Sequence, residues 1–119
     1  MADYGVANTW VDVKPGREKQ AMELFGMVTM QYEQAVKDGR LDSWDVILFE
    51  PNGAPGSPGG VFRAYGTQDQ VETFIRSDEF AESASRAQVL LTGFGYRRFI
   101  MNDALMKEMG TFATVLDSI

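Results

Sequence analysis

The residues of this chain that could bind or act on a small molecule are aromatic, amide and guanidinium side chains. Its 119 residues include no histidine and no cysteine, which excludes an imidazole base, a thiol nucleophile and any metal held by either residue type. Arginine binds oxyanions, tyrosine donates a hydrogen bond and tryptophan forms a flat apolar wall. The candidate ligand-cavity residues are Asn8, Trp10, Trp44, Arg63, Tyr65 and Arg98. No catalytic residue stands out.

Each of these candidates also has an ordinary structural role. A strand tryptophan commonly fills a core or an interface, and a strand arginine commonly pairs with an acid across a dimer interface. The acids available for such pairing are Asp12, Asp42 and Asp45. Tyr65 would equally pack across neighbouring strands with its hydroxyl group at the rim. Because Arg97 and Arg98 are adjacent on a predicted strand, only one of them can point inward.

Charge and hydropathy exclude further classes of protein. Eleven Lys and Arg against seventeen Asp and Glu give a net charge of −6, which opposes binding to nucleic-acid phosphates. No apolar run approaches the roughly 20 residues of a membrane-spanning helix. The first residues have neither the basic nor the apolar region of a signal peptide. We therefore expect a cytoplasmic protein that has no cofactor or metal and binds neither nucleic acid nor membrane.

The elements that position these side chains follow from the apolar pattern. Short segments rich in β-branched and aromatic residues predict four strands, at 6–13, 44–49, 61–65 and 94–101. Apolar residues three and four apart predict helices over 16–38 and 67–92, the second with a break near Ser77, and a last one from 102 to about 116. The Gly- and Pro-rich segment 51–60 would be a lid over a cavity or a flexible insertion.

The order β-α-β-β-α-β predicts an α+β fold, the ferredoxin-like sandwich, in which a four-stranded antiparallel sheet carries two helices on one face. Residues 1–101 complete this domain. The other face of the sheet would be open, and we expect it to be mixed. Apolar side chains such as Trp10, Trp44 and Phe62 would lie there beside polar ones such as Asn8 and Arg63. Such a face suits an interface that encloses a partly polar cavity.

Residues 102–119 form a helix beyond the predicted domain. Its apolar residues are spaced 4, 3, 4 and 3 apart, which is a seam of two heptads. The seam consists of Leu105, Met109, Phe112, Leu116 and Ile119. An amphipathic helix of this kind would pack on its own domain, on a partner subunit or another dimer, or on a target protein.

The order of elements, the strand–Lys14-Pro15-Gly16–helix opening and the break at Ser77-Asp78-Glu79 resemble the dimeric α+β barrel superfamily, which includes the antibiotic-biosynthesis monooxygenase-like proteins. The resemblance covers roughly residues 5–101. It implies a homodimer or a higher assembly in which two subunits pair sheet to sheet. It also implies that each barrel can hold a small aromatic or lipophilic ligand.

Cofactor-free oxygenases of this superfamily are associated with Asn, Trp, Tyr and Arg in the cavity, and Asn8, Trp44, Tyr65 and Arg63 are of these types. The absence of histidine argues against the haem-degrading, chlorite-dismutase-like and His-dependent branches. One hypothesis is a cofactor-independent oxygenase-like enzyme. In it Arg63 would hold an anionic group, Tyr65 or Asn8 would hydrogen-bond a substrate oxygen, and Trp44 would wall the cavity. The alternative is a non-catalytic ligand-binding or assembly module that uses the dimer and the C-terminal helix.

Overall fold

The computed structural model describes residues 2–119, which form one four-stranded sheet, one two-stranded sheet and four helices. The strands are β1 (Tyr4–Trp10), β2 (Asp12–Val13), β3 (Ser43–Leu48), β4 (Gly60–Gly66), β5 (Leu91–Thr92) and β6 (Gly95–Ile100). The helices are α1 (Glu18–Lys37), α2 (Gln68–Ile75), α3 (Asp78–Leu90) and α4 (Asn102–Asp117). The main sheet is antiparallel in the order β3-β4-β1-β6. The predicted ferredoxin-like α+β fold is confirmed.

Side-chain caps explain why the second helical segment is broken. Thr67 and Gln70 form a reciprocal capping box at the start of α2, and the hydroxyl of Ser77 accepts from the Phe80 amide at the start of α3. Two caps ten residues apart favour two helices over one. Gly39, with a φ of +75°, follows α1 in the left-handed conformation that ends many helices.

The predicted strand at 6–13 is two strands. Val11 leaves the main sheet and donates its amide to the Thr92 carbonyl at 2.8 Å, after which β2 pairs with β5. Strands of two residues are too short to show an alternating pattern, so the sequence could not predict this small second sheet.

Strand register assigns alternate side chains to two faces of the main sheet. Asn8 pairs with Phe62, and Trp44 pairs with Ala64, so these residues share the face covered by the helices. There Phe62 stacks on Trp44 with ring centroids 6.3 Å apart and packs on Trp10 at 5.9 Å. The expectation that the tryptophans and Phe62 lie on the open face is therefore wrong, because the register places them in the core.

The face without helices, which we call the open face, has a different composition. Its middle row across the four strands is Asp45, Arg63, Ala7 and Arg97. The flanking rows are Ser43, Tyr65, Gly5 and Phe99 on one side, and Ile47, Val61, Thr9 and Gly95 on the other. The ring of Phe99 lies over Gly5, where a Cβ atom would collide with it, and packs against Tyr65. The open face is thus charged in the middle and aromatic at one end.

Candidate functional site

A small cavity lies between the helix-covered face of the sheet and helices α1 and α3. Its volume is about 30 Å³, which is room for one or two water molecules. Aromatic rings make much of its wall, with Trp10 and Phe62 contributed by the sheet, Phe25 by α1 and Phe94 by the segment before β6. Three polar side chains reach this otherwise apolar space, and they are Asn8, Tyr32 and Ser83.

Asn8 and Tyr32 form a buried hydrogen-bonded pair in the wall of this cavity. The Asn8 side-chain amide donates to the Tyr32 hydroxyl oxygen at 2.6 Å. Asn8 is 8% exposed and Tyr32 is 2% exposed. The pair joins β1 to α1 across the interior, so its geometry is fixed by two packed elements.

Beyond this hydrogen bond the pair still offers one acceptor atom, Asn8 Oδ1, and two donors, the second Asn8 N–H and the Tyr32 O–H. Among residues 2–119, every fully buried side-chain oxygen and nitrogen has a hydrogen-bond partner. No partner of Asn8 Oδ1 is found in that part of the chain, so this oxygen retains some accessible surface, and the residue lines the cavity. Because the Tyr32 oxygen accepts from Asn8, its own O–H remains a donor. The arrangement can both donate a hydrogen bond to a molecule that carries an oxygen atom and accept one from it.

Burial keeps this site neutral. Desolvation raises the pKa of Tyr32 well above its usual value, and the hydrogen bond from Asn8 lowers it by less. The Tyr32 phenol is therefore a hydrogen-bond donor at physiological pH and not a base. Ser83 donates its hydroxyl to the Phe80 carbonyl at 3.1 Å. These groups can orient and polarise a ligand, but they cannot take a proton from it near neutrality.

Two of the predicted site residues line the cavity and a third adjoins it. Asn8 and Trp10 are in its wall. Trp44 lies beyond Phe62, meets the ring of Tyr32 edge-on at 6.0 Å and donates its indole N–H to Glu33 at 2.6 Å. It supports the cavity wall from behind.

Arg63 and Tyr65 lie on the open face, away from the cavity. Arg63 donates through two nitrogens to the two carboxylate oxygens of Asp45, at 2.7 and 2.9 Å, and Tyr65 donates its hydroxyl to Asp45 at 2.9 Å. The hydrogen bond to Asp45 raises the pKa of Arg63. Asp45 is the partner of Arg63 within one chain, so this polar cluster is complete before any second subunit joins it.

Arg98 takes a third position, at the edge of the helix-covered face. It is half-exposed and forms a salt bridge with Glu72 on α2, which lowers the pKa of that carboxyl. Because side chains alternate along a strand, Arg98 and its neighbour Arg97 lie on opposite faces, as predicted. The six candidates are therefore divided among the cavity, the open face and this edge.

Tyr32 is a polar cavity residue that is not among the candidates chosen from the sequence. It lies seven residues after Phe25 and four after Val28, so its spacing puts it on the apolar stripe of α1, where an aromatic residue is expected to be part of the core. A phenol on such a stripe needs a buried hydrogen-bond partner. Asn8, a polar residue in the apolar strand β1, could have indicated that partner.

The described residues, 2–119, contain no group of three or more carboxylates placed to hold a metal ion. None of the helices over those residues is both long and apolar enough to cross a membrane.

No protein-family model and no curated protein sequence matches the chain. Solved structures do resemble it. A dimeric ferredoxin-like protein of unknown function from Thermobifida fusca has a TM-score of 0.63 at 9% identity, over 84% of this chain and 92% of its own. The hydroxynitrile lyase of Passiflora edulis has a TM-score of 0.60 at 9% identity, over 87% and 97%. An antibiotic biosynthesis monooxygenase-like protein from Deinococcus radiodurans has a TM-score of 0.56 at 8% identity, over 84% and 92%.

The likeness is one of fold. At such low identities it does not carry an activity from any of these proteins to this chain. The resemblance expected from the sequence is confirmed at the level of the ferredoxin-like fold.

Proposed function

We propose that the protein binds a small, largely apolar molecule with one hydrogen-bonding oxygen in the cavity at Asn8 and Tyr32. The observation that carries the proposal is the buried pair itself. Donor and acceptor groups beside an aromatic space can recognise a phenol or a carbonyl whose remaining surface is hydrocarbon. A ligand oxygen that accepts from the Tyr32 O–H, or a ligand hydroxyl that donates to Asn8 Oδ1, would use the hydrogen-bonding capacity that the pair has left.

A ligand with an aromatic ring requires the cavity to open. A benzene ring occupies an engineered protein cavity of about 150 Å³, well above the 30 Å³ seen here. The half-buried residues at the rim are Phe25, Val28, Ala84 and Phe94. They come from α1, from α3 and from the segment before β6, and the rings of Phe25 and Phe94 can turn outward without breaking a backbone hydrogen bond. The ligand would pass between α1 and α3.

The enzymatic form of the proposal is a cofactor-independent, monooxygenase-like activity on a small aromatic or lipophilic molecule. The cavity holds no base for neutral pH, so the substrate must ionise readily by itself. A methylene activated by neighbouring rings and a carbonyl meets that condition. Reaction with dioxygen converts CH₂ to C=O, with one oxygen atom entering the product and the other leaving as water. Asn8 and Tyr32 would hold the substrate oxygen on which the negative charge develops.

The open face would pair sheet to sheet with a second copy. Its middle row carries Asp45 near one edge and Arg97 at the other, so a two-fold-related face can bring these opposite charges together. Arg63 is already neutralised by Asp45 and can be buried with it. We place this homodimer in the cytoplasm by default, a location with which a chain that lacks cysteine is compatible.

A non-catalytic ligand-binding module is the second candidate function. The observation that favours it is the lack of a titratable base among the cavity's polar side chains. Ligand binding and substrate turnover are measured separately, so the same variants, tested in both assays, distinguish the enzyme from the non-catalytic module.

The test is calorimetric titration with 1-naphthol, a two-ring phenol, comparing the parent with Tyr32→Phe and Tyr65→Phe. Both variants lose one hydroxyl, but only the first loses it from the cavity. We expect Tyr32→Phe to raise the dissociation constant about tenfold, which corresponds to the loss of about one hydrogen bond. We expect Tyr65→Phe to change the dissociation constant less than twofold. Equal effects, or no binding by the parent, would contradict the proposed cavity.

Turnover is tested with anthrone in an oxygen electrode. Anthrone has a methylene between two rings, and its oxidation to the quinone consumes one dioxygen and releases one water. Oxygen uptake that the parent accelerates and Tyr32→Phe slows supports the enzyme. Binding of naphthol without accelerated uptake supports the non-catalytic module.

A further inference from the structure

Helix α4 stands away from the domain that precedes it. None of its residues is buried. Six of its large apolar side chains are each at least 39% exposed, and they are Leu105, Met106, Met109, Phe112, Val115 and Leu116. The radius of gyration is 16.4 Å, whereas a compact chain of this length has about 13.5 Å. The predicted alternative in which α4 packs on its own domain is not what the structure shows.

The start of α4 is nevertheless held firmly. The Met101 amide donates to the Asp3 carbonyl at 2.8 Å, and the Asn102 side chain donates to the Ala2 carbonyl at 2.6 Å. Asn102 turns the chain with a φ of +52°, which asparagine tolerates better than most residues. The Asp103 amide adds a bond to the Asp3 carboxylate. The junction therefore sets the direction in which α4 leaves the sheet.

An exposed helix of this composition needs something to cover it. Isolated helices of about 15 residues are marginal in water, and Gly110 in its middle weakens α4 further. Its seam side is apolar, while its other side carries Lys107, Thr111 and Thr114. Most of the stability of such a helix comes from packing its apolar side.

We propose that α4 pairs along its seam with α4 of a second copy of this chain. A helix whose apolar residues are spaced 4, 3, 4 and 3 apart packs against another helix with the same spacing, and every copy of the chain carries such a helix. Of the residues beside the seam, Met106, Ala113 and Val115 are uncharged and only Glu108 is charged, so two seams meet with little repulsion.

The exposed area agrees with self-pairing. The six large apolar side chains of α4 are each 39% to 66% exposed in a single chain, so pairing two seams would remove apolar surface of both copies from water. This contact is separate from the sheet-to-sheet pairing of the open face. The helix pair would add a second contact, either between the two subunits of that dimer or between subunits of two different dimers.

Sedimentation velocity over a dilution series tests the pairing. A Met109→Asp/Phe112→Asp variant places two charges in the seam, and Thr111→Asp/Thr114→Asp places the same charges on the opposite side of the same helix. We expect the seam variant to lose the largest species of the parent, or to dissociate at a concentration at least tenfold higher. We expect the control to stay within twofold of the parent.

The absence of cysteine allows a second, direct test in the full chain. Under oxidation, Met109→Cys should form covalent dimers by itself if the two helices are parallel. It should form them when mixed with Phe112→Cys if they are antiparallel. Thr114→Cys should form none. The proposal is overturned if neither seam cysteine crosslinks more than Thr114→Cys, and also if both aspartate variants sediment like the parent. Naphthol binding by the seam variant reports on the cavity separately.

Discussion

The two faces of the main sheet use the same strands for different chemistry. On the helix-covered face, Asn8 lies between aromatic rings and its amide meets a buried phenol. On the open face, one residue away along the paired strand, Arg63 and Tyr65 converge on a carboxylate that is partly in water. The first face can hold a neutral, mostly apolar ligand, and the second is suited to another protein surface. Candidate residues that the sequence groups by type, such as Asn8 and Arg63, therefore lie on opposite sides of the sheet.

The largest expected difference between the faces is in folding stability. Phe62 is 6% exposed and contacts both tryptophans, so Phe62→Ala should lower the free energy of unfolding by about 3–5 kcal/mol. Phe99 is only partly buried on the open face, and Phe99→Ala should cost less than half as much. Urea unfolding of the two variants measures this, and equal losses would mean that the open face is also core.

The second difference concerns association. In the separated subunit, Arg63 and Asp45 are partly exposed, so Arg63→Met should change the free energy of unfolding by about 1 kcal/mol or less. In the proposed sheet-to-sheet dimer the same change removes the bidentate partner of a buried Asp45 carboxylate, which keeps only the Tyr65 hydroxyl within its own chain, and this should weaken association by about 2–5 kcal/mol. Sedimentation equilibrium gives the dimer constant. An unchanged constant would remove the open face from the interface.

The third difference is between two hydroxyl groups. Tyr32→Phe leaves the Asn8 amide without its partner, which should cost about 1–3 kcal/mol of stability. Adding Asn8→Leu should recover part of that loss, because it removes the stranded amide. Tyr65→Phe is the matched change on the open face and should cost less. Chemical denaturation of the parent, Tyr32→Phe, Asn8→Leu and the double variant, compared as a cycle, measures the coupling, with Tyr65→Phe measured beside them, and additive losses would argue against a specific pair.

The smallest expected effect is alkaline sensitivity. Burial raises the pKa of Tyr32 in the folded protein above its value in the unfolded chain. Below about pH 10 both states keep the proton, so the stabilisation is fully present there. Above that pH the unfolded chain ionises first, and this residue should remove about 1.4 kcal/mol of stability per pH unit. The difference in stability between the parent and Tyr32→Phe should therefore shrink from pH 9 to pH 11. A constant difference would contradict the burial of the phenol.

Much of the fold was predictable because its signals are local. The cap at Thr67, the cap at Ser77 and the glycine after α1 each act within one turn of chain, and they lie near the helix ends and the break at Ser77 that the sequence predicts. The order of strands and helices then restricts the topology to very few arrangements. The two-residue strands β2 and β5 were not predictable, because pairing that short depends on the distant segment it meets.

The candidate site was only partly predictable, because strand register is not a local property. A shift of one residue moves a whole strand's side chains to the other face. Asn8 and Trp10 were chosen by type and do line the cavity, whereas Arg63 and Tyr65 were chosen by type and face the other way. The partner of Asn8 comes from α1, 24 residues along the chain, and spacing alone cannot pair the two.

The central claim is that the ligand site is the cavity of Asn8 and Tyr32 and that the open face is reserved for a second copy. Crystals grown with 4-bromophenol test both parts, since bromine can be located by its anomalous scattering. We predict a bromine peak between α1 and α3, with the phenol oxygen within hydrogen-bond distance of Asn8 and Tyr32, and a two-fold-related sheet over Arg63. A bromine peak on the open face, with the cavity unchanged, would contradict the account.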